Sequence, residues 1–481
     1  MGAVLVALLA VSSVFAISWA LRTFYWVWVK PKRMEKYLRE QGINGPPYKL
    51  FYGNLKEMVG MMIEARSRPM ELSHRIIPRV LPFFYHTVQG YGKLNLSWHG
   101  PNPRLNIMDP EMIRDILSNK FGHFGKMKSN PLGKLLTEGV SSYEGVKWVK
   151  HRKIITPAFH QEKLKSLTGD AISRTAFGSS YEEGRRVFQL QTEMAELVIQ
   201  LGQSIYIPGF RFLPTKRNNR MKEIYREVKT LLGDMIKKRE KAMKLGEPST
   251  DDLLGLLMES NHKEIKDGGN AKNAGMSIDE VIEECKLFYI AGQETTSTLL
   301  LWTMVVLCMH PEWQEKAREE VLQVFGQNKP DLEGLNHLKI VTMILYEVLR
   351  LYPPVVMYSR ATYKAIKLGE ICIPPEVELT LPVLLVHHDR DLWGEDAEEF
   401  KPERFVEGIS KATKNRVSFF PFSYGPRICI GQSFAMIEAK MAMAMILQNF
   451  SFQLSATYAH APFSFLTIQP QYGAQLILHK V

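Results

Sequence analysis

Phe422-Ser423-Tyr424-Gly425-Pro426-Arg427-Ile428-Cys429-Ile430-Gly431 decides the reading of this chain. Its glycines let the backbone pass close to a flat ligand and turn without a Cβ clash. Arg427 is a permanent cation two residues before the cysteine, suited to hold an anionic group. A helical pattern begins near Gln432, so a Cys429 thiolate would face amide donors and the positive end of a helix, which favour ionisation. A lone cysteine is more often a small buried hydrophobe than a ligand. Phe422, Gly425, Arg427 and Gly431 at these fixed offsets reverse that expectation.

The other cysteines, Cys285, Cys308 and Cys372, are far apart and form no CxxC pair, so neither a disulfide framework nor a zinc ribbon fits. The chain has 481 residues, of which 45% are hydrophobic and 23% charged, an ordinary globular composition. Its net charge of +11 suggests an acidic partner surface or an anionic membrane. No zinc-finger spacing, basic-zipper pattern or RNA-binding aromatic motif supports nucleic acid.

No charged residue occurs from Met1 to Leu21, and the apolar run continues past Arg22 to Val29. A run of ~20 apolar residues is enough to cross the hydrocarbon layer as a helix. Lys30, Lys32, Arg33 and Lys36 follow at once, which predicts a single-pass anchor over 1–29 with everything after it in the cytosol. A cleaved signal peptide would have a basic n-region, and none is present. Residues 30–47, ending in Gly45-Pro46-Pro47, are expected to form a basic, proline-containing hinge, with the catalytic body over 48–481. Helical patterns cover Glu223–Leu245, Ile278–Met309, Glu312–Phe325, Val341–Tyr352 and Gln432–Asn449, against short β-type runs at Arg104–Met108 and Glu378–Pro382. The fold class is therefore mostly α with small β-sheets, and the polar stretch Asn261–Gly275 reads as a surface loop.

The decamer at 422–431 resembles the haem-binding loop of the cytochrome P450 haem-thiolate monooxygenases. That resemblance implies the cytochrome P450 fold, haem b held by Cys429, O2 as co-substrate, and electrons from NADPH through NADPH-cytochrome P450 reductase. Further motifs follow in the family's order. Ala291-Gly-Gln-Glu294-Thr295-Thr resembles its oxygen-binding stretch, where Ala291 makes room for dioxygen while Glu294 and Thr295 pass protons to it. Glu347 and Arg350, three apart on a helix and thus able to pair, resemble with Arg404 the family's structural Glu-Arg-Arg triad. Trp148 and Arg152 match its WxxxR helix, and with Arg360 and Arg427 they would bind the haem propionates. The family's substrate-recognition regions fall on Phe288, Ala291, Val355, Val356, Met357, Phe463, Phe465 and Leu466.

The stretches 173–181 (SRTAFGSSY) and 206–217 (YIPGFRFLPTKR), with His310-Pro-Glu-Trp313, are similar to a plant clan that includes secologanin synthase and triterpenoid oxidases. This implies a small apolar, terpenoid-derived substrate and a place in the endoplasmic reticulum membrane. One departure is visible: Phe159–Leu167 runs almost directly into Thr168-Gly-Asp170, so a helix of the family is expected to be missing near 160–170. Two alternatives stay open at this point. One is a catalytically impaired haem-binding membrane protein created by that deletion. The other is a haem-thiolate isomerase or dehydratase, against which Glu294 and Thr295 argue.

Overall fold

Ser277 starts the long helix around which the rest is arranged. Its hydroxyl accepts the Glu280 amide while the Glu280 carboxylate accepts the Ser277 amide, a reciprocal cap that satisfies two orphan donors. The helix then runs over Ile278–Met309 and ends at His310, where Pro311 starts the next one. The computed structural model describes residues 2–119, 122–127, 131–159, 181–202, 210–245, 253–267, 275–413 and 416–481. The expected deletion near 160–170 and residues 173–180 and 206–209 of the clan-like stretches lie outside them.

Around the central helix pack Lys216–Lys244, Lys339–Leu351 and Gln432–Asn449. The sheet lies to one side. Strand β1 (Leu94–His99) pairs antiparallel with β2 (Asn102–Ile107), and β2 runs parallel to β5 (Glu378–Leu381). Strand β4 (Tyr358–Thr362) closes on β5, and β3 (Phe124–Gly125) lies at its edge. The largest core joins this sheet to the C-terminal half of the central helix, where Trp302 stacks on Tyr352 at 4.5 Å. A second core joins the N-terminal half to Tyr181–Gly202 and Lys216–Lys244 through Val187, Ile224 and Ile282. Each fully buried aliphatic side chain contributes roughly 1.5–3 kcal/mol. The middle of the central helix lies between the two cores.

Two expectations are corrected. Residues 30–47 are not a free hinge along their length. The apolar helix Gly2–Phe24 passes through one π turn, Tyr25–Val29, and continues as Lys30–Arg39. That last segment buries Leu38, pairs Lys30 with Glu376, and is followed by Gln41, which exchanges two hydrogen bonds with Cys372 at 2.6 and 3.0 Å. Its apolar face outweighs its basic composition. The stretch Asn261–Gly275 is likewise not a loop throughout, because the helix Leu253–Asp267 includes its first half. The Asn261 amide is buried there, donating to the Met276 carbonyl and accepting the Met276 amide.

Candidate active site

The cysteine loop turns tightly at Gly425–Arg427 before the helix Gln432–Asn449, and the Cys429 amide donates to the Phe422 carbonyl at 2.9 Å. Gly425 has φ +74°, and a Cβ on it would stand 2.6 Å from the Leu117 carbonyl oxygen. Only glycine satisfies both constraints. Gly431 is under less constraint, since its Cβ would meet Phe159 at 3.8 Å and Cys429 Sγ at 4.0 Å. Cys429 is reachable by solvent yet ringed by protein. Burial pushes its thiol above the usual value, while the Gly431 amide and Arg152 pull the other way without prevailing. The helix end alone therefore does not ionise it as the sequence suggested. A cation at the sulfur would, which fits a metal-ligating role.

Four basic side chains surround this loop. Arg427 donates to the Tyr143 carbonyl at 2.8 Å and to Glu144 at 2.6 Å, and its guanidinium lies over the Trp148 ring at 4.6 Å. Arg152 feels both Cys429 and Arg427, and Arg360, buried on β4, feels Arg427. Sequence reasoning missed the fourth. Lys126 is held down to about 7 by burial and then by Arg360 and Arg427, with Glu144 opposing. It follows β3, whose Gly125 pairs with Ala361, so strand pairing brings Lys126 beside Arg360. No local motif announces that. Three of these side chains face Glu144 and the fourth, Arg152, faces Cys429 and Arg427; the surplus of positive charge is what a flat ligand carrying two carboxylates would neutralise.

Ala291 and Gly292 are accessible in the middle of a helix buried on both sides. The Thr295 hydroxyl donates to the Ala291 carbonyl at 2.7 Å. Glu294 Oε1 accepts from Thr467 and from Gln469, both at 2.9 Å. Glu294 also lines a hollow with Phe188, Gln191, Ile290, Phe465 and Leu466. Of the residues expected in the pocket, Phe465 and Leu466 are thus brought to the acid. Phe288 packs on Phe159 at 5.4 Å, and Phe463 lies under the Arg66 guanidinium at 4.7 Å. Val355 and Met357 are half-buried, whereas Val356 is 6% exposed and belongs to the core. Val356 packs with the larger core and is not among the residues lining the hollow beside Glu294. Phe188 and Gln191 were missed; the amphipathic pattern of Tyr181–Gly202 marks their helix but not the hollow. Glu438 was missed as well. Burial pushes its carboxyl up to about 7, against the Thr296 hydroxyl of the central helix.

Behind the loop, Glu347 and Arg350 form a two-pronged pair at 2.7 and 2.8 Å with neither side chain exposed. Arg404 stands 3.4 Å from Glu347 and binds Asp396 at 2.8 Å. Arg350 also donates to the carbonyls of His387, Ala397 and Glu399, tying this helix to the segment that leads to the cysteine loop. The three residues are brought together.

A mostly helical body, one cysteine in a glycine-turned loop and a buried Glu-Arg pair behind it define a haem-thiolate monooxygenase. The chain belongs to the cytochrome P450 family, whose family model, "Cytochrome P450", matches residues 79–169 and 161–476. It is 57% identical to "Cytochrome P450 CYP72A219" of Panax ginseng, over 98% of each chain, and 55% identical to "Cytochrome P450 CYP72A616" of Paris polyphylla, over 97% of each. It is 49% identical to "Secologanin synthase 1" of Catharanthus roseus, over 98% of this chain and 97% of that protein. Like other plant members it carries an N-terminal apolar helix consistent with membrane anchoring.

Proposed function

We propose that this monooxygenase inserts one atom of O2 into an apolar, terpenoid-derived plant metabolite, at the endoplasmic reticulum membrane, with electrons from NADPH-cytochrome P450 reductase. The observation that carries the reading is the shared hollow: the carboxylate of Glu294 stands beside the apolar side chains of Phe188, Ile290, Phe465 and Leu466. Mostly apolar walls with a few convergent polar groups suit a hydrophobic small molecule. The likeness to a protein named for secologanin synthesis supports a terpenoid-derived one.

Cys429 would ligate the iron, and Lys126, Arg152, Arg360 and Arg427 with Trp148 would hold the propionates. A thiolate-ligated haem supplies the reductive activation of O2. The residues around it do the rest. Thr295 holds a hydroxyl proton one helical turn from Ala291, Glu294 relays protons inward, and the apolar wall excludes water from the substrate. Glu347, Arg350 and Arg404 keep the loop in place.

The alignment with the Panax relative runs over 509 positions, longer than the 481-residue chain, and the two family matches meet at 161–169. The first supports residues missing from this chain relative to that protein, and the second supports a position near 160–170. Every residue assigned a role here lies outside that segment, so we retain activity over an inert haem-binding protein.

The test is a carbon-monoxide difference spectrum of the reduced membrane-bound protein, then NADPH- and reductase-dependent oxidation of a terpenoid panel followed by mass spectrometry. A thiolate-type spectrum with an oxygenated product is expected. A correct spectrum with no product from any terpenoid would remove the substrate assignment.

A further inference from the structure

We infer that Gln469 and Thr467 are positioning residues that tether Glu294 to the hairpin lining the substrate hollow, so that the proton-delivering acid and the pocket wall move as one unit. The inference deepens the reading of Glu294 as the residue that relays protons and rests on it.

The hairpin consists of β6 (Pro462–Ser464) and β7 (Ile468–Pro470), with Phe465 and Leu466 at its turn. Its stems are clamped from outside. Trp302 Nε1 donates to the Ile468 carbonyl at 2.9 Å, the Ile468 amide donates to the Pro354 carbonyl at 3.1 Å, and Arg66 donates to the Ser464 carbonyl at 2.5 Å. On the inner side the contact is polar and private. Gln469 Nε2 lies 2.9 Å from Glu294 Oε1 and 2.8 Å from both Thr298 Oγ1 and Thr467 Oγ1. Thr467 donates to Glu294 Oε1 at 2.9 Å, and Thr298 donates to the Glu294 carbonyl at 2.7 Å.

Counting hydrogens shows why this is a tether rather than casual contact. The Gln469 amide has two hydrogens for three acceptors, and each threonine hydroxyl has one. The Thr298 hydrogen is committed to its own helix and the Thr467 hydrogen to Glu294. Thr298 and Thr467 are 1% and 2% exposed, so water does not replace a lost partner. If Glu294 swung away, buried Thr467 would be left with only the longer Thr298 contact at 3.1 Å and Gln469 would lose one of its three acceptors, which is unfavourable. The acid is thus held where the hairpin holds it. Phe465 and Leu466 belong to the same hairpin and line the same hollow as Glu294, so a ligand pressing on them acts one to four residues from the tether. Removing the Gln469 amide or the Thr467 hydroxyl leaves the three outer clamps intact, which separates positioning from folding.

The experiment compares Gln469→Leu, Thr467→Val and Thr467→Ser, each alone and combined with Glu294→Gln, in full-length protein with reductase. β-Amyrin and oleanolic acid serve as triterpenoid probes. Readouts are product per NADPH oxidised, peroxide released, and the carbon-monoxide spectrum as a check of fold and haem. Gln469→Leu and Thr467→Val are expected to keep the spectrum yet divert roughly tenfold more NADPH to peroxide, a part of the ~10²–10⁴ that one positioned proton donor supplies. Thr467→Ser should restore the parent's coupling. In the Glu294→Gln background neither substitution should add anything, because residues acting through one group are non-additive. Unchanged coupling in the single variants, or an equal loss in the Glu294→Gln background, overturns the tether. If Glu294→Gln itself leaves coupling unchanged, the relay reading falls and the tether with it. Should the parent oxidise neither triterpenoid, only the substrate assignment fails, and NADPH consumption and peroxide release without added substrate test the tether in the same variants.

Discussion

Glu347 and Arg350 meet through two hydrogen bonds at 2.7 and 2.8 Å, and neither side chain is exposed. Such a pair is expensive to desolvate but far more expensive to break, because one lost partner leaves a buried charge alone. Arg350 carries three further carbonyl contacts, so its loss would also orphan the turns at His387, Ala397 and Glu399. Arg350→Leu or Glu347→Ala is expected to cost about 3–5 kcal/mol. That is a large share of the ~5–15 kcal/mol a domain has. Neither variant should accumulate with a thiolate-type spectrum, whereas Lys367→Ala, on an exposed pair, should be indistinguishable from the parent.

Gly425 supplies a sharper test of the loop. Its φ of +74° and the 2.6 Å approach of the Leu117 carbonyl to a hypothetical Cβ leave no room for alanine. Gly425→Ala should abolish haem incorporation, and Gly431→Ala, which meets only ordinary contacts, should keep the fold by circular dichroism. Cys429→Ser should remove the thiolate-type spectrum, while Ser at Cys308 should not, since burial pushes that thiol up to about 12 and leaves it inert.

The central helix was readable to the residue because a capping serine, a long apolar pattern and a terminal proline all coincide over Ile278–Met309. The cysteine loop was readable because close backbone approach leaves a glycine signature at fixed offsets. Lys126 was not, since it reaches Arg360 only through the pairing of β3 with β4. Gln469 and Thr467 were invisible for the same reason: they sit 175 and 173 residues from Glu294. His151 stands among the lysines of its helix, yet it does not face solvent with them. It is fully buried, with Nδ1 2.6 Å from Glu284. Sequence periodicity on a short, lysine-rich helix does not say which polar residue turns inward.

Lys126 makes the charge of the site measurable. Burial first, then Arg360 and Arg427, bring it from 10.5 to about 7. Between those values the unfolded chain binds a proton that the folded chain does not, so stability rises with pH across that window. Haem-stripped protein should therefore gain stability from pH ~7 to ~9, read by urea unfolding. Propionates beside Lys126 would favour its charged form and flatten that slope in the haem-loaded protein. Lys126→Met should flatten it in the stripped protein as well. A slope unaltered by Lys126→Met would assign it to another group.

Of the two sequons, at Asn95 and Asn449, one can report topology. Asn95 sits inside β1, fully buried, with its amide donating to the Gly92 carbonyl, so the folded protein offers no acceptor there on either side of a membrane. Asn449 is exposed at the end of the last long helix and its sequon is complete at Ser451. A cytosolic body leaves Asn449 bare. In microsomes no glycosidase-sensitive mass shift is expected, and a shift lost in Asn449→Gln would reverse the orientation set by Lys30, Lys32 and Arg33.

The last expectation concerns how electrons enter. The helix Gly145–Ile155 carries Lys147, Lys150 and Lys153 on the side of the fold where Trp148 and Arg152 meet the cysteine loop. The structure reduces the charge available there. Lys147 and Lys150 lie 3.3 and 3.7 Å from the same Glu280, and Lys153 lies 2.7 Å from Glu264. Despite its burial, Glu280 is drawn down to about 2 by the Ser277 amide and by Lys147, Lys150 and His151, so it stays ionised at any working pH. Two lysines to one carboxylate still leave a positive face, and the same helix exposes Val146 and Val149 at 87% and 56%. An acidic reductase would be steered by the first and seated on the second. Glu280→Gln should therefore raise the reductase association rate at low salt by freeing two cations, and Lys147→Glu with Lys150→Glu should lower it. Both effects should fade as ionic strength rises above ~0.15 M, where the Debye length falls below ~8 Å. Val146→Ser should weaken the complex equally at every salt concentration, because burial of apolar surface is not screened. Peroxide-supported turnover, which needs no partner, should be the same in all of these variants. Parallel losses in the peroxide assay would show that the substitutions disturb the propionate cluster through Trp148 rather than the docking of a reductase.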